Sequence, residues 1–307
     1  MTRGPDSPLV VIMGPTASGK SALALAAARR WRGEIISADS MQFYRGLNIG
    51  TAKPTAAEQA EIPHHLIDCL DFAERMDVYE FVRAAETAVR AIRRRGRLPI
   101  VAGGSGMYLK ALLYGLDPLP GDEKLRRELD EAYDHDAGFD ALKARMAELD
   151  PAALARWRQH RRKLIRALEV RLLTGRSILA LQSGQRSTLR FAVSAWRLEW
   201  EPAVLKERIA ARTREMLAAG WIPEAEAAIR NGLLESPTAR QALGYRLIGD
   251  YLAGSLNYDE LTARIVTATW QLARRQQTWF RHQHPEAAVL NLPAEEPLFW
   301  ERRPPDS

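Results

Sequence analysis

Five consecutive apolar residues, Leu9-Val-Val-Ile-Met13, stop at Gly14-Pro15, the pattern of a short strand buried on both faces. Ala and Leu then dominate from Lys20 to Arg30, residues that lose little side-chain freedom in a helix, so this segment is predicted helical. A buried strand, a glycine-containing turn and a helix therefore follow one another directly. Glu34 to Ser37 predicts a second short strand, Val78 to Arg95 a long amphipathic helix, and Leu98 to Ala102 another buried strand ending at Gly103-Gly104. Strands alternating with helices predict an α/β fold with a parallel sheet flanked by helices, since parallel neighbours need a long crossover.

At Pro118-Leu-Pro-Gly121 the pattern changes, and no strand is predicted again until Arg190 to Trp196. The stretch between reads as a helical insertion, 119–187, within a core made of 1–118 and 188–307. Its later part carries Arg156, Arg158, Arg161, Arg162, Lys163 and Arg166 with few acids among them, then a polar run over 182–187. A solvated helix face and a nucleic-acid surface account for that cluster equally well. Beyond Pro202 helices are predicted over Ala203–Ala219, Pro223–Asn231, Ala239–Ala253 and Tyr258 to about Arg281. The last mixes Arg264, Arg274, Arg275 and Arg281 with Trp270, Trp279 and Phe280, which suits a docked helix with a wet face, or cations and stacking platforms for RNA.

Composition narrows the class. A chain of 307 residues that is 46% hydrophobic buries a sizeable core, which excludes disordered and fibrous types. Lys and Arg outnumber Asp and Glu by 44 to 38, a net charge of +6 that tilts the partner toward an anion without requiring a polymer. Cys69 is the only cysteine, so no internal disulfide or cysteine-rich zinc module is possible, as suits a reducing compartment. The first apolar run is too short for a signal peptide, and no stretch approaches the ~20 apolar residues of a membrane span. A cytoplasmic protein with no membrane partner is expected, and without a heptad seam a monomer.

Gly14-Pro-Thr-Ala-Ser-Gly-Lys-Ser21 matches G-x-x-x-x-G-K-[ST] and lies between a buried strand and a helix, where a phosphate cradle belongs. Glycines let backbone N–H groups turn inward, the helix N-terminus adds partial positive charge, Lys20 supplies a point charge and Ser21 offers a hydroxyl to Mg²⁺. The cradle comprises Gly14, Pro15, Thr16, Ala17, Ser18, Gly19, Lys20 and Ser21. An NTP such as ATP and a small organic diphosphate present the same oxygens, so kinase, NTPase and diphosphate-displacing transferase all stay open on this motif. No Asn-Lys-x-Asp guanine reader follows.

Asp39 stands at the predicted C-terminal end of the second strand, the edge of an α/β sheet where ligands gather. Its carboxylate fits three roles there: organising Mg²⁺, taking a proton from an acceptor nucleophile, or capping a turn. Gln42 offers a donor and an acceptor, a fork suited to an adenine edge, though read alone it is an ordinary loop residue.

Eight segments together resemble one family: Gly14 to Ser21, Ala38-Asp-Ser-Met-Gln-Phe-Tyr-Arg-Gly46, Asn48-Ile-Gly-Thr-Ala-Lys-Pro54, His64-His-Leu-Ile-Asp68, Gly103-Gly-Ser-Gly-Met-Tyr108, Arg166-Ala-Leu-Glu-Val170, Gln241-Ala-Leu-Gly-Tyr245 and Arg274-Arg-Gln-Gln-Thr-Trp-Phe-Arg281. In that order they look like the signature blocks of the bacterial tRNA dimethylallyltransferases, and they span nearly the whole chain. The resemblance implies a P-loop NTPase-like core with a mobile helical insertion. The implied reaction is transfer of a dimethylallyl group from dimethylallyl diphosphate, with Mg²⁺, to N6 of the adenine at position 37 beside the anticodon in the tRNA stem-loop. It further implies catalytic roles for Asp39, Thr16, Lys20 and Arg212, with Mg²⁺ on Ser21. The tRNA contacts it implies are Asp39, Ser40, Met41, Gln42, Ser105, Arg127 and the segment Arg162, Lys163, Leu164, Ile165 and Arg166. Where relatives usually show Asn-Asp before the basic run, this chain has Gln159-His160. An adenylate isopentenyltransferase shares the loop and Asp39 but has no use for a basic insertion. A P-loop nucleotide kinase leaves the other blocks without a role.

Overall fold

The computed structural model describes residues 8–115, 119–181, 189–284 and 286–301. The chain divides into two compact units, one of Met1–Tyr114 with Leu189–Ser307 and one of Gly115–Thr188. The polar run over 182–187 and the position 118 lie outside the described residues.

The larger unit is built on a six-stranded parallel sheet. Its strands are β1 (Leu9–Met13), β2 (Gly33–Ser37), β3 (His64–His65), β4 (Leu98–Gly103), β5 (Val193–Glu199) and β6 (Ala288–Asn291), in the order β3-β2-β4-β1-β5-β6. All five residues of β1 are buried because the strand lies between β4, with Val10 opposite Ile100, and β5, with Val10 opposite Ser194. Alternation across the pleat divides the core. Leu9, Val11 and Met13 join a cluster with Phe81, Val89 and Ile92 of the helix Val78–Arg94, and Leu109 and Leu112 of the helix Gly106–Tyr114. Val10 and Ile12 join the opposite cluster, with Leu23, Ala24, Ala27, Ala28 and Trp31 of the helix Lys20–Trp31. A capping box, Asp77 with Glu80, starts the helix Val78–Arg94.

The strand predicted over Arg190 to Trp196 is displaced three residues toward the C-terminus. Arg190 donates its N–H to Leu113 O and ion-pairs with Glu86, so the ladder begins at Val193, opposite Leu9. The predicted helix Ala239–Ala253 is also broken. A 3₁₀ turn, Ala239–Gln241, leads to Gly244 at φ +93°, and the helix runs only from Tyr245 to Leu252. A Cβ on Gly244 would lie 2.4 Å from the Trp221 ring, so the turn is fixed by packing as well as by backbone geometry. β3 and β6 are edge strands of two and four residues, too short for a strand periodicity to stand out.

Among the described residues five helices form the smaller unit: Glu123–Tyr133, Asp136–Leu149, Pro151–Trp157, Arg161–Thr174 and Ile178–Leu181. Its own core includes Leu129, Leu142, Met146, Leu164, Ile165 and Leu168. No helix among the described residues is long and apolar enough to cross a membrane.

Candidate active site

The phosphate loop, the segment from Asp39 and the segment Gly104-Ser105 follow the C-terminal ends of β1, β2 and β4, three adjacent parallel strands, so topology alone brings them together. Ala17 at φ +62° and Gly19 at φ +89° curl the loop into the start of the helix Lys20–Trp31. Ser18 is fully buried, and its Oγ has no hydrogen-bond partner among the described residues. That hydroxyl packs against Gly14, where a Cβ would lie 2.9 Å from it, and lines neither of the cavities described below. Burial pulls the Lys20 ammonium down to about 8, with Asp39 acting in the opposite direction and Arg212 adding to the fall.

The back of the loop is held by three side chains far along the chain that the motif does not announce. Trp200 Nε1 donates to Ser18 O at 2.9 Å, and Arg208 Nε to Ala17 O at 3.0 Å with its guanidinium 4.2 Å from the Trp200 ring centroid. Gln276 Oε1 accepts the Thr16 N–H at 2.8 Å.

Asp39 Oδ1 accepts the Met41 N–H at 3.0 Å, a local turn, and among the described residues Oδ2 has no hydrogen-bond partner. The Ser40 N–H is fixed by Ser105 Oγ at 3.1 Å. Gln42 corrects its sequence reading. Its Oε1 accepts from Ser37 Oγ at 2.9 Å and its Nε2 donates to Thr51 O at 3.1 Å and Ala52 O at 3.2 Å, so the amide that suited an adenine edge is engaged by the protein itself.

Two cavities, about 290 and about 340 Å³, share a wall made of Thr16, Ala17, Lys20, Asp39, Thr51 and Arg212. The first also reaches Ser21, and the second Ser40, Met41 and Ser105. A carboxylate between two cations therefore stands where a ligand of one cavity meets a ligand of the other. Arg212 comes from the helix Pro202–Ala218, and burial lowers its pKa while Asp39 counters that shift. Glu215 lies three residues further along the same helix, yet no ion pair of Arg212 exists among the described residues, while Arg208 turns to Ala17 and Trp200.

The segment Asn48 to Pro54, prominent in the sequence but without an assigned task, is organised by Glu224. Its carboxylate accepts N–H bonds from Asn48 at 3.0 Å, Ile49 at 2.8 Å and Gly50 at 3.0 Å, and the Tyr245 hydroxyl at 2.7 Å. Lys53, almost wholly buried, donates to Tyr44 O, Asn48 Oδ1 and Asp68 Oδ1. These bonds place Thr51 in the wall between the cavities.

Within the smaller unit the expected RNA set separates. Arg127 and Lys163 are exposed. Leu164 and Ile165 are 0% and 1% exposed inside that unit's core, which corrects the expectation that they meet RNA. The basic stretch is also compensated by acids, two of them distant in sequence. Arg161 pairs with Asp136 at 2.5 Å, Arg162 with Asp134 at 3.6 Å, and Arg166 with buried Glu169 at 2.7 Å while donating to Leu119 O and Pro120 O.

Comparison with known proteins identifies this arrangement. The family model described as IPP transferase matches residues 42–283, and that of isopentenyl transferase residues 7–72. The chain is 47% identical to the tRNA dimethylallyltransferase of Halorhodospira halophila over 90% of its own length and 91% of that protein's. It is 46% identical to that of Methylococcus capsulatus, over 90% of each. The crystal structure of the tRNA isopentenylpyrophosphate transferase from Bacillus halodurans superposes with TM-score 0.67 at 35% identity, covering 93% of this chain and 90% of that one. A eukaryotic dimethylallyltransferase acting on tRNA gives TM-score 0.79 at 27% identity, covering 96% and 76%. With a matching family model over most of its length and relatives above 40% identity along nine-tenths of it, the chain belongs to the IPP transferase family.

Proposed function

We propose that the protein transfers a dimethylallyl group from dimethylallyl diphosphate to N6 of adenosine 37, beside the anticodon of tRNA, releasing diphosphate. The prenyltransferase activity on tRNA is the activity named for its relatives. The observation that carries the finer reading is the wall shared by two cavities, with Asp39, Lys20 and Arg212 in it.

An exocyclic adenine amine is a weak nucleophile. The free oxygen of Asp39 accepts its N–H, aligns the lone pair and takes up the proton as the C–N bond forms. The bond between dimethylallyl C1 and its oxygen breaks with both electrons leaving on the diphosphate. Backbone amides of the loop, Thr16, Lys20 and Arg212 receive the charge that develops there. The donor set fits Mg²⁺ through the exposed hydroxyl of Ser21, which lines the first cavity, because Mg²⁺ takes oxygen ligands and few of them from protein. Mg²⁺ bound there supplies charge neutralisation of the diphosphate. The second cavity, with Ser40, Met41 and Ser105, is the acceptor side, which a base reaches once it is unstacked. Exposed Arg127 and Lys163 are assigned to the tRNA backbone, and the protein is assigned to the cytoplasm as a monomer.

Incubation with labelled dimethylallyl diphosphate and either unmodified tRNA, AMP or ATP tests the reading. Label is expected in tRNA alone, with one diphosphate released per transfer and ATP untouched. Label in AMP identifies an adenylate isopentenyltransferase, and ATP consumption a kinase; either result overturns the proposal.

A further inference from the structure

The phosphate loop closes only loosely on itself, with Ser18 N–H reaching Pro15 O at 3.3 Å. Gln276, 260 residues away on the helix Tyr258–Gln283, supplies what the loop lacks. Its primary amide is used in both senses. Oε1 accepts the Thr16 N–H at 2.8 Å, and Nε2 donates to Gly104 O at 3.0 Å. One rigid, planar group thus ties the turn after β1 to the turn after β4. Reversing the amide would set N–H against N–H and oxygen against oxygen, so one orientation is specified. Gly104 is bare for this contact: a Cβ there would lie 2.4 Å from Nε2. Gln276 also lines the cavity shared with Thr16, Lys20 and Arg212, which places the amide beside the ligand as well as behind the loop.

We infer that Gln276 is a positioning residue that holds the phosphate loop in its donor-binding shape, so that affinity for the diphosphate end of the donor depends on a side chain of the helix Tyr258–Gln283. The inference rests on the reading of the loop as a diphosphate cradle. With both ends of the amide bonded to backbone, Gln276 acts through the loop and touches no reacting atom. Its effect is therefore on binding of the anion, before any chemistry. Glutamate at this position keeps the acceptor for Thr16 N–H but loses the donor to Gly104 O, and adds a negative charge to the cavity wall.

The test is calorimetric titration of inorganic diphosphate with Mg²⁺, without tRNA, into the full-length protein and its Gln276→Ala, Gln276→Glu and Gly104→Ala variants, with melting curves for each. Gln276→Ala removes both bonds and weakens diphosphate binding about three- to tenfold, the range for losing the one bond that the amide makes to the loop itself, from Thr16 N–H. Gln276→Glu weakens it by more than about tenfold, because the lost bond is compounded by charge repulsion. Gly104→Ala displaces the amide without altering it and reproduces the Gln276→Ala loss, and the double variant is no worse than either single one. Affinity for tRNA alone stays within about twofold, since both hydrogen bonds of the amide are to backbone, one at the phosphate loop and one at the turn after β4. Diphosphate affinity at the wild-type level in Gln276→Ala and Gly104→Ala, whether or not the melting point falls, overturns the inference by assigning Gln276 to packing. Additive losses in the double variant, or a defect in tRNA affinity alone, also overturn it. Dimethylallyl transfer to tRNA by the wild-type protein, measured in parallel, tests the proposed function separately: its absence counts against that function and leaves the diphosphate comparison standing.

Discussion

Glu224 Oε1 accepts the Gly50 N–H at 3.0 Å, across 174 residues of sequence, and this bond fixes the backbone that carries Thr51 into the wall between the two cavities. Gly50 has no alternative side chain, because a Cβ would fall 2.1 Å from Trp221 Nε1.

Glu224→Gln replaces one of two acceptor oxygens with a donor, leaving at least one of the Asn48, Ile49 and Gly50 N–H groups facing another N–H. Unfolding free energy is expected to fall by about 0.5–1.5 kcal/mol, the net worth of one hydrogen bond between half-buried groups. Activity falls with it as Thr51 leaves the wall. Denaturant titration and steady-state kinetics check this; unchanged stability and activity contradict the assigned role.

Lys20 gives the reaction a pH limit. Burial disfavours its cation and brings its pKa down to about 8, so it is charged below that pH and neutral above it. The cation is the form that holds an anionic donor. kcat/KM for dimethylallyl diphosphate, which reports groups of the free enzyme, is therefore level up to about pH 8 and declines above it. In Lys20→Arg the decline near that pH disappears, since a guanidinium stays charged. A profile from pH 6 to 10 for both proteins decides the matter, and the same break in both removes Lys20 as its cause.

In the smaller unit, exposed Arg127 and Lys163 are separable from the ion-paired arginines. Arg127→Ala with Lys163→Ala is expected to weaken tRNA binding and to flatten the plot of log affinity against log salt by up to about two units, roughly one for each phosphate no longer neutralised. Arg166→Ala behaves differently. Glu169 is only 1% exposed and would keep Arg126 as its remaining ion-pair partner, so the chief effect is lower stability. Salt-dependent binding and melting curves of the two sets distinguish these outcomes.

The central strands and the phosphate loop were legible in sequence because a run such as Leu9 to Met13 has one stable environment, between two strands and two layers of helix. Asp39 was legible for a similar reason, its position at a strand end. Glu224, Trp200, Arg208 and Gln276 were not. Each meets the site through backbone atoms far away in sequence, an arrangement that leaves no periodicity, and although Gln276 stands in the segment Arg274 to Arg281, nothing local names its partners. The basic segment of the insertion misled in the opposite sense. Its compensating acids, Asp134, Asp136 and Glu169, include two on other segments, so a local count of charge missed the pairing. The internal bonds of Gln42 were not legible either, as its partners Thr51 and Ala52 enter only once the following loop folds back.

The account turns on proton transfer at Asp39, and single-turnover transfer from dimethylallyl diphosphate to pre-bound tRNA by Asp39→Asn measures that step most directly. Asparagine keeps the oxygen that accepts the Met41 N–H but cannot take up the proton from N6. The transfer rate is expected to fall by roughly 10²–10⁴ while tRNA affinity stays within about threefold of wild type. A rate within about threefold of wild type would contradict the account, because the base would then lie elsewhere in the wall between the two cavities.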